Sequence, residues 1–572
     1  MFLKRPRPDS YDLGAIVIIA CALIFRVAIT AFGLPIPNSD EGAMGLEAMH
    51  IAFRGEHPVF LYGQNYMGVL EAYIGAGAYH LFGVSLFSLR ISMLILFTLF
   101  LITLYFLTRL LFTRQLALFT LLLLSFASRD TLIQQLCAVG GAVETLLFGT
   151  LTLLLASWLA LGSRQQDKLS QNGRRLAAYA CLGFVMGFGL WCHVLIMPFL
   201  LAGLLLLLLF CREELFTQRR SLLLLTAFLI GVSPIIIHML RTPQSNIFLT
   251  AWNLFHSSPI NTSQVTIARR LSSTFLYGLP METGLTPLCS IQELPTFGQT
   301  TLRTLPCTLE DGAWSLGYLT LLLAAYILSA LALWRSWQLR RVQAQVWLSK
   351  ERETFILHCA RLLLLATATI TLTLYIMSPA TALKPWSTRY LVGLLVATPA
   401  LIWPLWHRLA SDRRSSYSRR LLRVGSSSCA LLLIASVLSL STIGIIQTTP
   451  TAIAYNQTDA SIIQSLKHLG VRHFYANYWT CYRLMFMSKE QLICGGRDRQ
   501  LHPIGNRYQP YHAVVDKDSQ AAYVYAPGDP DNLYFAQKLR QLSILYREFT
   551  IEGYHVYLPT QRLYPGYPGW NT

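Results

Sequence analysis

Charge is scarce in this chain, and acid is the scarcer sign. Only 13% of its 572 residues are Asp, Glu, Lys or Arg, with 28 acids against 46 bases, while 53% are hydrophobic. That balance excludes an ordinary soluble domain. Cysteines in zinc-finger spacing are missing, as are a glycine-rich nucleotide loop and a repeat between the two halves of the chain. The first absence excludes a structural zinc module. The third, with spans almost free of ionisable residues, argues against an inverted-repeat transporter. A net charge of +18 suggests a nucleic-acid partner at first sight. The basic residues, however, gather in short segments between apolar runs, where they set membrane topology, so no nucleic acid is expected.

Long apolar runs dominate the first 450 residues, the pattern of a polytopic α-helical membrane protein. The expected spans are Leu13 to Leu34, Leu86 to Leu107, Leu116 to Phe126 (continuing to Thr131), Thr145 to Leu161, Leu176 to Trp191 and Val194 to Phe210. Leu222 to Met239, Leu316 to Leu333, Phe355 to Met377, Leu391 to Trp406 and Leu431 to Ile446 complete the set. They total about eleven. Lys4, Arg5, Arg7, Arg164, Lys168, Arg413 and Arg414 fall on one side of this count. The N-terminus is therefore expected in the cytoplasm and the C-terminus outside it. Residues 449–572 are polar and read as a small extracytoplasmic α/β domain following a membrane module of residues 1–448. Helices fit Asp459 to Leu469 and Pro530 to Leu542, and strands fit Val471 to Ala476 and Ala521 to Tyr525. Tyr546 to Thr550 and Tyr554 to Leu558, joined at Glu552-Gly553, have the form of a hairpin.

The cysteines divide by compartment. Cys289 and Cys307 share the long outer loop, Cys481 and Cys494 share the outer domain, and each pair is a disulfide candidate in an oxidising compartment. Asn261-Thr262-Ser263 and Asn456-Gln457-Thr458 match the short glycosylation sequon.

The chain is organised around residues 38–71, NSDEGAMGLEAMHIAFRGEHPVFLYGQNYMGVLE. Asp40 and Glu41 stand where the chain leaves the first span, with Asp40 a candidate N-cap. Met44, Leu46, Ala48, Met49, Ile51, Ala52 and Phe53 then cover one broad helical face, and Glu47, His50 and Arg54 share the other. This predicts a helix lying in the membrane interface. Arg26, in the outer half of the first span, is placed either to snorkel to the headgroups or to face an internal cavity and meet a phosphate. His193, between two spans, reads as a packed, hydrogen-bonded residue in a helical turn.

The Asp40-Glu41 pair, the segments YGQNYMGVLEAYIGAGAYHLFG and SLFSLRISMLI, a second outer-loop acid and the late Arg-Tyr of RYLVGLLVATPALIW together resemble the GT-C membrane glycosyltransferases of family 39. These are related to protein O-mannosyltransferases and to the aminoarabinose transferases that act on lipid A. The resemblance covers residues 10 to about 450. It implies transfer of one sugar from a polyprenyl-phosphate carrier, outside the cytoplasm, to a protein, lipid or glycan acceptor. The setting would be the cell envelope, in a plasma membrane of bacterial type.

The resemblance also assigns roles. Asp40 would contact the acceptor, Glu41 would support it, and Glu144 in GGAVETLLFG would be the second acid, with Asp130 its rival. Arg389 in STRYL, with Tyr390, would face the carrier phosphate. Where related enzymes carry a Lys-Pro-Pro-Leu or His-Pro-Pro-Leu stretch, this chain has Gln64-Asn65-Tyr66-Met67. Phosphate contacts there would fall to amides, Tyr62 or Tyr66. Glu71 and Arg26 complete the substrate-binding candidates. Apart from the lipid-linked donor no cofactor is implied, and no divalent metal is evident.

The chemistry fits these residue types independently. A carboxylate can take the proton of a weakly nucleophilic hydroxyl, and cations or amides can stabilise a departing phosphate. A single displacement inverts the anomeric centre. The competing classes are a transporter and a cell-envelope scaffold without transferase activity.

Overall fold

The computed structural model describes residues 9–163, 169–242, 265–287, 289–294, 297–298, 301–342, 349–410 and 417–570. The sequon at Asn261 and the basic residues Lys4, Arg5, Arg7, Arg164, Lys168, Arg413 and Arg414 lie outside the described residues. The first twelve helices are α1 (Ser10–Ala31), α2 (Ser39–Arg54), α3 (Leu70–Phe82), α4 (Leu86–Leu111), α5 (Arg114–Ser125), α6 (Arg129–Leu136), α7 (Ala142–Leu161), α8 (Leu169–Cys192), α9 (Met197–Phe210), α10 (Arg212–Phe216), α11 (Arg220–Gly231) and α12 (Ser233–Arg241). Long helices follow at Leu305–Val342, Ser349–Met377 and Tyr417–Gln447.

Among the described residues eight helices are long and apolar enough to cross a membrane, or ten if two bent pairs each count as one span. Val194–Phe210, expected as a full span, is a shorter apolar helix. The bends have local causes. The third expected span does not run straight on to Thr131: α5 and α6 meet at 92°. Phe126 is extended, and the Ser128 hydroxyl accepts from the Thr131 N–H to start a new helix. Between α11 and α12 the chain turns by 56° where Ser233-Pro234 opens the second helix, since proline cannot donate to the preceding turn. The expected span from Leu391 starts inside a 3₁₀ segment, Pro385–Ala397, before the α-helix Thr398–Ala410.

The chain forms two compact units. The first comprises residues 1–25, 95–135 and 141–446 and is a helical bundle. Within it Glu214 of α10 accepts hydrogen bonds from Arg175 (2.6 Å) and Arg220, tying α8 to α11. Cys289 and Cys307 form a disulfide here.

The second unit comprises residues 26–94, 136–140 and 447–572. Its sheet has β1 (His473–Ala476), β2 (Ile493–Gly496), β3 (Ala522–Tyr525), β4 (Tyr546–Ile551) and β5 (Tyr554–Pro559) in the order β2-β1-β3-β5-β4. The first three strands are parallel, and β5 pairs antiparallel with β3 and β4. The expected hairpin forms, with Glu552 and Gly553 both at positive φ, as a tight turn between twisted strands requires. Thr449–His468 and Asp531–Gln541 are helical, close to the expected spans. The sequence reading lacked β2 and the helices Tyr478–Met487 and Gln509–Val515. Cys481 and Cys494 form a disulfide linking the first of these helices to β2. Tyr475, Tyr523, Phe535, Tyr557 and Trp570 build the core of this sheet. Asn456, the second sequon asparagine, sits within the helix Thr449–His468 and donates to the Gly33 carbonyl at 3.2 Å.

Helix α2 belongs to this unit, and its expected apolar face is covered by protein. Residues 41–50 are buried on every side. Gly42 and Gly45 explain how: a Cβ at Gly42 would lie 2.5 Å from the Tyr482 carbonyl oxygen, and one at Gly45 would lie 2.5 Å from the Phe486 ring. Two glycines three residues apart let the helix Tyr478–Met487 lie directly on α2.

Candidate functional site

The N-terminus of α2 is capped by Asn38, whose side chain accepts from the Glu41 N–H at 2.9 Å. Asp40 is therefore not the cap, as the sequence suggested, and its carboxylate is available for other partners. Its Oδ1 accepts from the Tyr478 hydroxyl and from Arg507 Nη2, the latter at 2.6 Å. Arg507 Nε also donates to the Tyr478 hydroxyl at 2.9 Å. With its amide oxygen turned towards Arg507, Gln64 accepts from Nη2 at 2.7 Å. Burial opposes the charge on Arg507, yet Tyr478 and Asp40 outweigh it and hold the guanidinium pKa above its ordinary value.

Glu41 faces the opposite way. It takes a bidentate ion pair from Arg90, Nε to Oε1 and Nη2 to Oε2, both at 2.8 Å. Neither side chain has any exposed surface. Arg90 also donates to the carbonyls of Leu34 (2.9 Å) and Pro35 (2.7 Å), and Glu41 also accepts from the Ala138 N–H at 3.3 Å. This network fixes the turn that delivers the chain from α1 to Asp40. Glu71, also buried, accepts from the Gly140 N–H at 3.0 Å and anchors the same short segment. Arg26 is fully buried within the protein, so it does not snorkel to the headgroups.

Farther along α2 the polar stripe Glu47, His50 and Arg54 meets the C-terminal part of the chain. His50 bonds Tyr62 (2.8 Å) and Glu490 (3.0 Å), and Arg54 grips both oxygens of Glu490 at 2.6 Å. Tyr511 donates to Glu490 at 2.7 Å, while Tyr62 and Tyr508 donate to Glu56. Burial would raise the pKa of Glu490, but hydrogen bonds from His50 and Tyr511 and the nearby charges bring it down to about 2. Asn65 is exposed and Tyr66 half-buried on the same loop as Gln64.

Glu47 lies seven residues after Asp40 on the same helical face. It is fully buried, and no hydrogen bond of ordinary length reaches either of its carboxyl oxygens. Burial pushes its pKa well above the usual carboxylate range, with the nearby Tyr62 N–H and Arg507 opposing and Glu56 adding. The folded state thus holds a proton that the unfolded chain releases above about pH 4.5. This stabilising proton is fully present below that pH, and its benefit falls away as pH rises toward the folded-state pKa. Glu47→Gln should remove the slope, so that its melting temperature gains on the parent as the pH rises above about 4.5. An equal difference at every pH would show that Glu47 is ionised in the folded protein.

The other sequence candidates lie in the first unit. Glu144 is buried in the first turn of α7, after Gly141 at positive φ. His193 is buried against Gly141 and accepts from the Leu195 N–H at 3.1 Å, in the packed turn the sequence suggests. Arg389 is half-buried, with its guanidinium 5.5 Å from the Tyr390 ring centre. Asp130 accepts from the Thr388 hydroxyl at 3.4 Å, which brings it beside the Arg389 segment. Glu282 was not foreseen: it is fully buried and accepts from Gln134 at 2.7 Å. Tyr478, Glu490, Arg507, Tyr508 and Tyr511 were also missed. Their one sequence signal is the aromatic-basic run Asn506-Arg507-Tyr508-Gln509-Pro510-Tyr511. Among the described residues no group of three or more His, Cys, Asp or Glu side chains is placed to hold a metal ion.

The helical membrane bundle with a small C-terminal sheet has the GT-C fold. Residues 67–238 match the family model described as Dolichyl-phosphate-mannose-protein mannosyltransferase. The structure is similar to that of ArnT from Cupriavidus metallidurans bound to undecaprenyl phosphate, with a TM-score of 0.54 and 13% identity, covering 95% of this chain and 97% of that one. The apo form of the same protein gives a TM-score of 0.50 at the same identity and coverage. The oligosaccharyltransferase AglB from Archaeoglobus fulgidus, in complex with an inhibitory peptide and a dolichol-phosphate, gives 0.47 at 14% identity, covering 96% of this chain and 74% of that one. No curated protein sequence matches the chain.

Proposed function

We propose that the protein transfers a single sugar from a polyprenyl-phosphate-linked donor to an acceptor hydroxyl on the outer face of the membrane, with inversion at the anomeric carbon. The observation that carries this reading is the carboxylate of Asp40, freed from capping by Asn38 and oriented by Arg507 and Tyr478. Asp40 takes the acceptor proton as the hydroxyl oxygen attacks the anomeric carbon. The bond from that carbon to the phosphate oxygen breaks, and the carrier phosphate leaves with the electron pair. Cationic and amide donors stabilise the charge that develops there, and Arg389 is the residue proposed for that contact. Glu144 is proposed as the second acid, with Asp130, which accepts from the Thr388 hydroxyl, as its rival. Residues 449–572 are proposed to stand outside the cytoplasm and to take part in acceptor recognition, because Tyr478 and Arg507 hold Asp40. The match of residues 67–238 to a mannosyltransferase family model and the similarity to a structure solved with undecaprenyl phosphate support the reading.

The direct test is transfer of radiolabel from a polyprenyl-phosphate sugar in nanodiscs. Label reaching an acceptor supports the enzyme, whereas movement of the carrier across the bilayer without transfer supports the transporter. Within that assay Arg389→Ala should lower the rate strongly, by about 10²-fold or more, as loss of an oxyanion-stabilising donor does. Arg389→Lys should recover only part, because a point charge lacks the planar fork. Parent-like transfer by the alanine variant would give Arg389 a topological role instead.

A further inference from the structure

The first unit contains a cavity of about 680 Å³, within the range of sites that hold small molecules. Its walls are apolar side chains of the membrane helices, including Leu124, Leu395, Ile402 and Leu438. Its carboxylates come from shorter elements and helix starts: Glu282 from the short helix Leu279–Thr283 and Glu310 from the first turns of Leu305–Val342. Among the described residues that line it, these two are the only formally charged groups, and both are acids. Among the described lining residues a phosphate head would meet carboxyl oxygens and no cation.

Glu282 is the informative residue. It has no exposed surface, and its Oε2 is engaged by Gln134. Its Oε1 is buried and has no hydrogen-bond partner. The backbone around it is pinned, because Thr131 donates to the Glu282 carbonyl at 3.1 Å and Trp314 donates to the Thr283 hydroxyl at 2.7 Å. Relaxation of the loop is therefore a poor way to satisfy Oε1. A buried acceptor left unpaired costs about 1–3 kcal/mol, so a ligand that donates to it recovers that loss.

We infer that this cavity binds a neutral lipid alcohol of the diacylglycerol type, its chains along the leucine-rich walls and its hydroxyl donating to Glu282 Oε1. Burial raises the Glu282 pKa and favours its neutral form, with the Gln134 hydrogen bond opposing and the nearby Asp130 charge adding. A protonated carboxyl exchanges hydrogen bonds with a hydroxyl in both directions and gives an ammonium head no counter-charge. The inference concerns binding and does not depend on the transfer reaction.

The test is native mass spectrometry of the full chain released from nanodiscs that contain dioleoylglycerol or dioleoylphosphatidate, which share chains and differ in the phosphate. The parent should retain the alcohol in preference to the phosphatidate. Glu282→Leu should reduce that retention about tenfold, the equivalent of one lost hydrogen bond to a buried acceptor. Ala430→Trp, which narrows the cavity from a half-buried wall position, should displace the lipid while leaving Glu282 in place, and it serves if Glu282→Leu does not fold. Equal or preferential retention of the phosphatidate or of a polyprenyl phosphate would overturn the inference and make the cavity a site for phosphorylated lipid. Retention of neither lipid, or a parent-like preference in folded Glu282→Leu, would overturn it as well.

Discussion

Asp40→Asn should lower the transfer rate by about 10²–10⁴-fold while carrier binding survives, because asparagine keeps the shape of the side chain but cannot accept the acceptor proton. The structure sharpens this expectation. Had Asp40 been the cap of α2, its replacement would have mixed a folding effect with a chemical one. The cap is Asn38 instead. What Asp40→Asn does lose is the ion pair to Arg507, whose side chains are 15% and 12% exposed on the Asp40 and Arg507 sides. A modest fall in melting temperature should therefore accompany the loss of rate. Arg507→Met provides the separation: it removes the partner and keeps the carboxylate. If Arg507 positions the base, this variant should lower kcat per folded molecule while carrier binding survives. The rate per folded molecule in nanodiscs is the measurement. An Asp40→Asn enzyme that binds carrier and works at the parent rate would remove Asp40 from the chemistry.

Glu41→Gln should act on folding first. Glu41 and Arg90 form a wholly buried bidentate pair, and removing one partner strands a charge in the interior, at a cost of about 3–5 kcal/mol. Glutamine can still accept one hydrogen bond, so Glu41→Ala should be the worse of the two. Replacing both partners by methionine should recover part of the loss, because a buried ion pair can often be exchanged for apolar side chains of similar volume. Recovery should be incomplete, since the Leu34 and Pro35 carbonyls and the Ala138 N–H would then lose their partners. Unfolding midpoints decide the stability question, and transfer by the double variant decides the functional one. If the double variant folds and Asp40 still works, Glu41 supports the site only by holding the turn after α1. If it folds and transfer is lost, Glu41 has a part in the chemistry as well.

The two predictions differ although the residues are neighbours, and nothing in the Asp-Glu dipeptide itself announces the difference. A helix turns about 100° per residue, so adjacent carboxylates point to different surroundings. Here one meets Arg90, from the same N-terminal half, and the other meets Arg507, from the far end of the chain.

The membrane bundle, the small α/β region and the Glu552-Gly553 hairpin were legible in the sequence because each is written locally, as apolar runs, alternation and turn residues. The pairing of Cys289 with Cys307 and of Cys481 with Cys494 agrees with the sequence separation of each pair, 18 and 13 residues. The bends between α5 and α6 and between α11 and α12 were harder to read, since an apolar run carries no sign of where its backbone changes direction. Only the tertiary structure decided that the apolar face of α2 is covered by protein. That face reads the same whether lipid or protein covers it, and what decides is the helix Tyr478–Met487, more than four hundred residues later, seated on Gly42 and Gly45. The same distance in sequence hid Arg507, Tyr478 and Glu490. Periodicity and spacing report what one segment offers, while the partners of Asp40, His50 and Arg54 depend on which distant segment packs against them, and that is fixed only when the whole chain is folded.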